Sequence, residues 1–473
     1  MRGSITRAAA AVAAGAALSA FGITGVSAAG AATRAPQPAR PTARPLAVSG
    51  ARLWLQRYNG PGNGDDSASA LAVSPDGYSK GAGSGLDYAT AAYSAATGAR
   101  LWLQRYNGPG NGDDSASALA VSPDGTRVYI TGTSSGEYAT VAYNAATGAQ
   151  LWAARHHGPA ARGPSSAVAV AVSPDNSRVF VTGTTQNGDN PACGDAAYDT
   201  VAYGAATGTQ LWEAQVCNFS SATALAVSPD GKRVYVTGQE GAECGLCGVY
   251  GTVAYSAATG AAIWQMTYGR KGVQAGRASS IAVSPGGAKV YVTGSITRTV
   301  AGTDYGTIAY SAAGRQLWVR RYRTPGPGFE NDLARSLAVS RAGTVLVTGY
   351  SPTTTSGRDF ATIAYSPAGT QLWAKRYNGP GNGDDTANSI AAPGNGKVYI
   401  TGTSPGAKSG PDYATIAYNI FTGARLWVQR YNGPANGIDQ ATSLAARAGR
   451  VFVTGGSPGN TSGLDYATIA YKG

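Results

Sequence analysis

Short apolar segments alternate with turn-forming residues along the chain from residue 51 onward. A typical unit begins with LWVQRY, a loop rich in Gly and Asn, and a small apolar segment such as SALAVS. It continues with RVYVTG and DYATIAY, and the connecting segments are SPDG, a variable Gly/Ser loop and SAATG. β-branched and aromatic residues between turn formers predict four strands per unit. No 3.6-residue apolar period lasts for three turns, so we expect almost no helix.

The unit recurs along the whole body of the chain and contains one tryptophan each time. Four short strands in about 50 residues are typical of one β-propeller blade. A single four-stranded blade cannot bury both of its faces, so the blades must stack in a ring. We therefore predict one all-β propeller over residues 51–473. The eight tryptophans are spaced 48 to 60 residues apart: Trp54, Trp102, Trp152, Trp212, Trp264, Trp318, Trp373 and Trp427.

Residue size predicts the place of each strand within a blade. The Ala- and Ser-rich segment suits the crowded axis, and the LW segment suits the outer edge. Arginine recurs on the LW segment, and we interpret it as a charge that keeps an exposed edge strand from pairing with other chains. The chain begins with an outer strand and ends with the strand that pairs with it. We expect the N-terminal strand to complete the C-terminal blade. The recurring arginines are Arg57, Arg105, Arg155, Arg321, Arg376 and Arg430.

One 27-residue segment occurs twice without a change, at 51–77 and at 99–125. The first copy continues with YSKGAGSGLDYAT and lacks about seven residues of the VYVTG type that later units contain. A recent duplication followed by a deletion accounts for both facts. The sequence predicts eight blades of which one is incomplete, with no regular ladder between residues 78–86 and the inner strand of their unit. The alternative is seven complete blades, with residues 51–98 packed outside the ring.

The N-terminal segment predicts an exported protein. A basic head, an apolar stretch of small residues and an Ala-x-Ala-like exit are typical of a secretory signal peptide at 1–28, and a Pro-, Arg- and Ala-rich linker follows at 29–50. Five arginines of the formal +12 precede the repeats, where no acid occurs, which leaves +7 for the body. The basic residues form no runs with interleaved aromatics, so we expect no nucleic-acid binding. We expect no membrane span and a monomer.

Three sequence motifs resemble known bacterial propeller repeats. LAVSPDGKRVYVTG at 225–238 resembles the YVTN repeat of secreted and surface-layer propellers. DYATIAY with LW, RYNGPGNGDD and VYVTG resembles the SBBP repeat. AYNAATGAQLW at 142–152 is similar to the tryptophan-docking motif A-x-D-x-x-T-G-x-x-x-W of quinoprotein dehydrogenases, although Asn144 stands where that motif has Asp. The resemblance implies tryptophans that dock blade on blade, and it is weak as a sign of a cofactor.

Aspartate is the residue just before the inner strand in five units that are contiguous around the ring. Carboxylates that converge on the channel mouth could bind Ca²⁺, a sugar or a cationic ligand. The alternative, which we favour, is that each aspartate caps the backbone N–H groups of its own loop. The other three units have Ser165, Ser220 and Gly276 at this position. The five aspartates are Asp66, Asp114, Asp332, Asp385 and Asp439.

The three units without this aspartate contain every cysteine and both histidines. Four cysteines in an exported chain predict two disulfides, and we favour Cys193–Cys217 and Cys244–Cys247 among the three possible pairings. A redox or metal site is the less favoured alternative. The His156-His157 pair replaces Tyr-Asn of the repeat, which we interpret as sequence drift.

Two functions from different classes fit these features. The inner strands offer Ala, Ser and Val to the channel, and two adjacent histidines are poor material for a Ser-His-Asp relay. The first hypothesis is a secreted or cell-surface binding module that uses the loops of one face, for an extracellular ligand that the sequence does not identify. The second is a quinoprotein-like oxidoreductase that depends on pyrroloquinoline quinone (PQQ). A hydrolase or lyase is a third, less favoured class.

Overall fold

The computed structural model describes residues 49–63, 65–71, 75–80, 84–158, 163–186, 196–217, 219–240, 248–269, 276–297, 302–324 and 331–473, with the backbone alone for 75–80. Every regular element in these ranges is a β-strand, and the strands form eight four-stranded antiparallel sheets. The all-β prediction is confirmed. The predicted signal peptide and nearly all of the predicted linker lie outside the described residues.

Each sheet is one blade, and its strands follow one another in chain order from the inner to the outer edge. Blade 8 combines the first strand, β1 (Arg52–Tyr58), with the last three. Blade 1 contains β2 (Ser67–Leu71), β3 (Pro75–Lys80), β4 (Leu86–Tyr93) and β5 (Arg100–Tyr106), and blade 2 contains β6 (Asp114–Val121), β7 (Arg127–Ser134), β8 (Glu137–Asn144) and β9 (Gln150–His156). Blade 3 contains β10 (Ser165–Val172), β11 (Arg178–Gln186), β12 (Ala196–Gly204) and β13 (Gln210–Cys217). Blade 4 contains β14 (Phe219–Val227), β15 (Arg233–Glu240), β16 (Val249–Ser256) and β17 (Ala262–Tyr268).

The second half of the chain repeats this arrangement. Blade 5 contains β18 (Gly276–Val283), β19 (Lys289–Thr297), β20 (Thr303–Ser311) and β21 (Gln316–Tyr322), and blade 6 contains β22 (Leu333–Val339), β23 (Val345–Thr353), β24 (Gly357–Tyr365) and β25 (Gln371–Tyr377). Blade 7 contains β26 (Thr386–Ala391), β27 (Lys397–Pro405), β28 (Pro411–Asn419) and β29 (Arg425–Tyr431). The rest of blade 8 consists of β30 (Gln440–Arg447), β31 (Arg450–Pro458) and β32 (Leu464–Lys472).

Hydrogen bonds between neighbouring blades join the sheets into a ring. The tyrosine near the start of the third strand donates to a carbonyl of the next blade, as Tyr88 does to Ala139 and Tyr413 does to Ala467. Thr442 on β30 donates to the carbonyl of Ala68 on β2, at 2.7 Å. Blade 1 therefore lies between blades 8 and 2, and the alternative of seven blades with residues 51–98 outside the ring is wrong.

The ends of the chain meet in blade 8. β1 pairs antiparallel with β32 over six residue pairs, from Arg52 with Tyr471 to Tyr58 with Tyr466. The predicted closure of the ring by the N-terminal strand is confirmed. An outer strand supplied from the opposite end of the chain means that this blade cannot complete itself until both ends have folded.

The core consists of side chains from the second and third strands, packed between adjacent blades. These strands are buried on both faces, so that consecutive residues such as Val398, Tyr399 and Ile400 in β27 have at most 1% of their surface exposed. Paired threonines in the middle of the sheet satisfy each other's hydroxyls, as Thr401 and Thr415 do at 3.1 Å. Small residues line the inner strands, and each inner strand has a register shift at the same place, such as Ala387/Ser389 in β26. The predicted order, with the small strand innermost and the LW strand outermost, is confirmed.

Blade 1 has a second strand despite the deletion. Pro75–Lys80 pairs with β2 and with β4, so that Tyr78 lies opposite both Ser67 and Tyr88. The expectation of no ladder between residues 78–86 and the inner strand is wrong at Tyr78, which pairs with Ser67, whereas Ser79 and Lys80 pair with β4 alone. Without this strand the facing edges of β2 and β4 would leave backbone N–H and C=O groups unpaired, which is costly in a buried sheet. The incomplete blade therefore keeps four paired strands, although two of them are short.

Candidate functional site

The five aspartates that precede inner strands are fully buried, each within its own loop. The Gly108 N–H donates to Asp114 at 2.6 Å, and the Gly433 N–H donates to Asp439 at 2.7 Å. The same contact joins Gly60 to Asp66 and Gly379 to Asp385. These are the contacts of loop capping. Among the described residues, no hydrogen bond joins two of the five carboxylates.

Asp332 caps its loop through different partners, because its unit lacks the NGPGNG sequence. The Thr324 backbone N–H and hydroxyl both donate to its carboxylate, at 3.3 and 3.0 Å, and the Ser351 hydroxyl donates as well. The carboxylate therefore serves the same local purpose in a loop of different sequence. A shared Ca²⁺ site at the channel mouth gains no support from this geometry.

The outer-strand arginines lie next to these loops and hold the ends of the sheets together. Arg430 donates to the carboxylate of Asp412 at 2.9 Å, and to the hydroxyl and carbonyl of Ser404 at 2.6 Å each. Its side chain is only 22% exposed. The interpretation of these arginines as charges that keep the edge strand from pairing did not include this role, in which the guanidinium lies over the sheet and bonds to its second and third strands. Equivalent ion pairs join Arg57 to Asp465, Arg105 to Asp87, Arg155 to Glu137 and Arg376 to Asp359.

Burial changes the electrostatics of two capping aspartates. Loss of solvent raises the pKa of Asp385 to about 6, and it also raises the pKa of Asp439. In both residues Oδ1 has no hydrogen-bond partner, although Oδ2 accepts a glycine N–H. An ionised carboxylate with one unpaired buried oxygen is costly, which is why burial raises the pKa of both groups.

The channel wall is uncharged over most of its described surface. The inner strands contain one carboxylate, Asp114, which is fully buried, and three exposed arginines, Arg277, Arg335 and Arg447. A quinone that carries Ca²⁺ needs carboxylate oxygens and polar donors that face its site. The described inner-strand residues do not supply this set, and the residues do not fit the PQQ–Ca²⁺ group.

A compact group of ionisable side chains lies elsewhere, at the junction of blades 2 and 3. His156 ends β9, whereas Asp199 lies on β12 and Glu213 on β13. His156 Nε2 lies 2.8 Å from Asp199 Oδ2 and 3.8 Å from Glu213 Oε1. The Thr185 hydroxyl also donates to Asp199 Oδ2, at 2.9 Å. Asp199 is 0% exposed, His156 6% and Glu213 22%, so the group is shielded on two sides and reaches solvent beside Glu213.

The charges of this group act on one another. Burial lowers the pKa of His156, but the hydrogen bond and negative charge of Asp199 outweigh it and raise the pKa overall. Burial raises the pKa of Glu213, and the charge of Asp199 raises it further. A single imidazole thus faces two carboxylates.

The sequence contains a signal for this group that our interpretation of His156 as drift missed. At each of the three positions the residue differs in kind from its counterparts in the other blades. His156 stands where six units have Tyr and one has Val216, and Asp199 stands where all seven others have Ala or Gly. Glu213 stands where the others have Leu, Ala, Val or Gln. Aligning the units strand by strand shows these three exceptional residues, which lie close together in the folded protein.

Blade 3 also lacks the ion pair between the outer-strand arginine and the third strand, here called the arginine clamp, and so does blade 4, where Thr267 stands at the arginine position. Gln215 occupies the arginine position, and Ala197 occupies the position of the aspartate that the arginine binds elsewhere. Cys217 ends β13 in the same blade, while Cys193, Cys244 and Cys247 lie outside the described residues.

The tryptophans dock each blade on the next. An indole N–H donates to a carbonyl in the third-to-outer-strand turn of the following blade in seven cases, at 2.9 to 3.3 Å, from Trp54, Trp102, Trp152, Trp212, Trp264, Trp318 and Trp373. Trp427 instead packs against Gly50, which precedes β1, the outer strand of the following blade.

Fold and docking contacts together define an eight-bladed propeller built on tryptophan-docked blades. The chain belongs to the PQQ_2 family, described as outer membrane protein assembly factor BamB, whose profile matches residues 46–241, 139–304 and 304–468. No curated protein matches the sequence. Within the described ranges no helix is long and apolar enough to cross a bilayer.

Solved structures with similar architecture include two dehydrogenases and a propeller of another kind. The quinohemoprotein alcohol dehydrogenase from Comamonas testosteroni has a TM-score of 0.54 at 13% identity, covering 89% of this chain and 76% of its own. A europium-containing methanol dehydrogenase has 0.52 at 11%, covering 89% and 93%. The Dos1 propeller has 0.53 at 11%, covering 89% and 95%. At these identities the likeness concerns the fold alone.

Proposed function

We propose that this chain is an exported binding propeller that holds its partner on the loop face between residues 156 and 277. One observation carries the proposal: the charged residues that the units share are already bonded inside the propeller. The shared aspartates cap loops, and the shared arginines bind neighbouring strands. These contacts build a rigid scaffold and leave recognition to the segments that differ between units.

The sector at 156–277 differs most from the repeated pattern. The loops that contain NGPGNG are alike, and within each an asparagine pair bonds, as Asn107 does to Asn111 at 2.7 Å. His157, which is exposed, stands at the position equivalent to Asn107. Variation that is concentrated in one sector of a rigid ring is typical of a surface selected for one partner.

Export and disulfide pairing belong to the same proposal. The predicted signal peptide at 1–28 supports export, as does the likeness of the units to SBBP and YVTN repeats. We also propose that Cys217 is disulfide-bonded, as expected for a protein in an oxidising compartment. We propose Cys193 as its partner and Cys244–Cys247 as the second disulfide. Proteins of the matching family are described as assembly factors for outer membrane proteins, so an envelope protein is a reasonable class of partner.

Photocrosslinking tests this proposal with a control inside the repeat. A photoreactive phenylalanine at position 157 should capture a partner from the cell envelope or culture supernatant of the native host. The same residue at position 107, at the equivalent place in blade 1, should capture much less. Equal capture at both positions, or none at 157, would contradict the proposed sector.

A PQQ-dependent oxidoreductase is the second candidate, favoured by the family and by the likeness to the two dehydrogenases. The described channel residues do not fit PQQ with Ca²⁺, so we place it second. Adding PQQ and Ca²⁺ while recording absorbance and thermal stability separates the candidates. A stoichiometric quinone spectrum with a raised melting temperature would reverse the order, and no response would exclude the quinoprotein.

A further inference from the structure

We propose that His156, Asp199 and Glu213 form a binding site for a divalent transition-metal ion, Zn²⁺ foremost, at the junction of blades 2 and 3. One imidazole nitrogen and two carboxylate oxygens lie within 4.8 Å of one another. Three protein ligands of this kind, with a further position left for water, are a common coordination set for Zn²⁺. The imidazole favours Zn²⁺ over Ca²⁺ and Mg²⁺, which prefer oxygen ligands.

The distances suit a small ion after modest adjustment. Ligand atoms about 2.0–2.2 Å from a tetrahedral Zn²⁺ are separated from one another by roughly 3.3–3.6 Å. The 2.8 Å separation of His156 and Asp199 must therefore lengthen, and the 3.8 Å separation of His156 and Glu213 must shorten slightly. Both changes are within the freedom of side-chain rotation, and Glu213, the most exposed of the three, moves most easily.

Unpaired oxygens give independent support. Asp199 is completely buried, yet its Oδ1 has no hydrogen-bond partner, and Glu213 Oε1 is buried and unpaired as well. Buried polar atoms almost always have a partner, so one such oxygen on each of the two carboxylates is unusual. A cation bound by both carboxylates would supply the missing partner.

A simple ion pair does not account for the whole group. Since Gln215 replaces the clamp arginine in blade 3, a charged His156 could neutralise Asp199 in its place. That explanation gives no reason for Glu213, which adds a second negative charge where the other blades have an uncharged residue. Two carboxylates and one imidazole balance a divalent ion better than they balance one another.

The test uses the mature chain after treatment with EDTA and dialysis. Titration with ZnCl₂, followed by calorimetry and metal analysis, should show one ion bound per chain. Thermal unfolding with excess Zn²⁺ should shift upward by about 2 °C or more, and CaCl₂ should give no comparable shift. A chain that binds no Zn²⁺, or that responds equally to both ions, would overturn the proposal.

The repeat itself supplies the control variant. The triple change His156→Tyr, Asp199→Ala and Glu213→Leu restores the residues of blade 1 at these positions, and it should fold and lose the bound Zn²⁺. Asp385→Asn removes a buried carboxylate in blade 7, and it should keep the full stoichiometry. Zn²⁺ binding that survives in the triple variant would place the ion elsewhere, for example on cysteines or His157, and would refute this site. Because the measurement needs no partner, failure of the proposed binding function would not affect it.

Discussion

The indole N–H of Trp373 in blade 6 donates a 2.9 Å hydrogen bond to the carbonyl of Ile420 in blade 7. The turn that presents this carbonyl also brings Gly423 against the indole ring, with a backbone φ of +68°. The glycine of the SAATG-type turn is therefore needed twice, for its left-handed conformation and for its lack of a side chain. The pairing of Trp and Gly explains why both recur in the units.

Replacing Gly423 with alanine should destabilise the protein by about 3 kcal/mol or more. A Cβ there would lie 2.8 Å from the Trp373 ring and 2.9 Å from Lys375 Cε, so the indole must move away from its docking site. Chemical denaturation followed by tryptophan fluorescence measures the loss.

Gly110→Ala is the matched control for this change. Gly110 has a φ of +87°, but nothing lies within 4 Å of a Cβ built there. It should lose only the cost of the backbone conformation, about 1 kcal/mol. Equal losses for the two variants would show that docking against the indole contributes nothing.

The arginine clamp predicts a second graded effect. Arg430→Met should destabilise the fold by about 2 kcal/mol, because Asp412 then loses its charged partner while 6% exposed. The figure allows for solvent screening of the guanidinium, which is 22% exposed. Adding Asp412→Asn to Arg430→Met should recover part of the loss, and the four free energies of unfolding complete a double-mutant cycle.

Arg321 provides the comparison. Its Nη1 lies 3.9 Å from Asp304, and its side chain is 33% exposed, so it is held more loosely. Arg321→Met should cost less than half as much as Arg430→Met. If the two variants lost the same stability, the contribution would come from the side-chain stem and not from the ion pair.

Asp385 predicts a dependence on pH. Its pKa in the folded protein is about 6, above the ordinary value of 3.8, mainly because burial removes solvent from the carboxylate. Folding therefore favours the protonated form, so its stabilising contribution is complete below about pH 4 and is lost as the pH rises through about 6. Asp385→Asn, which cannot ionise, should gain stability relative to the natural protein across that window, by about 2 kcal/mol at pH 7.

Urea unfolding of both proteins between pH 4 and pH 8 measures this difference. Asp385→Ala is the control, since it also cannot ionise but loses the acceptor for the Gly379 N–H. It should follow the same pH profile as the Asn variant at lower stability throughout. A difference between Asn variant and natural protein that stays constant with pH would contradict a raised pKa.

The sequence predicted the architecture well because the same pattern of strand and turn residues recurs in eight units. Strand order, closure by β1 and the positions of the docking tryptophans follow from residue size and turn chemistry. The structure of the duplicated segment could not follow from its own residues. Pro123–Gly125 forms a turn, whereas Pro75–Gly77, in the same sequence, belongs to a strand, because the residues that follow decide which segment must pair with β4.

The candidate metal site was harder to predict for a related reason. His156, Asp199 and Glu213 lie on three strands of two blades, and none belongs to a motif with local spacing. Only the register between β9, β12 and β13 brings them together. The hydrogen bonds of the arginines were not predicted, because the sequence gives no sign that their side chains fold back over the sheet.

The shortened second strand makes blade 1 the weakest part of the ring. β2 has five residues and β3 six, whereas β6 and β7 in blade 2 have eight each. Amide hydrogens of β3 should exchange faster than those of β7, because fewer ladder hydrogen bonds must break for the blade to open. Restoring the missing residues should reverse this. Insertion of TRVYITG, copied from residues 126–132, after Gly77 returns the turn and the strand to the arrangement of blade 2. We expect slower exchange in blade 1 and a higher melting temperature, and insertion of TRSGSTG at the same place should give neither. A repaired chain no more stable than the natural one would show that Pro75–Lys80 already replaces the lost strand in full.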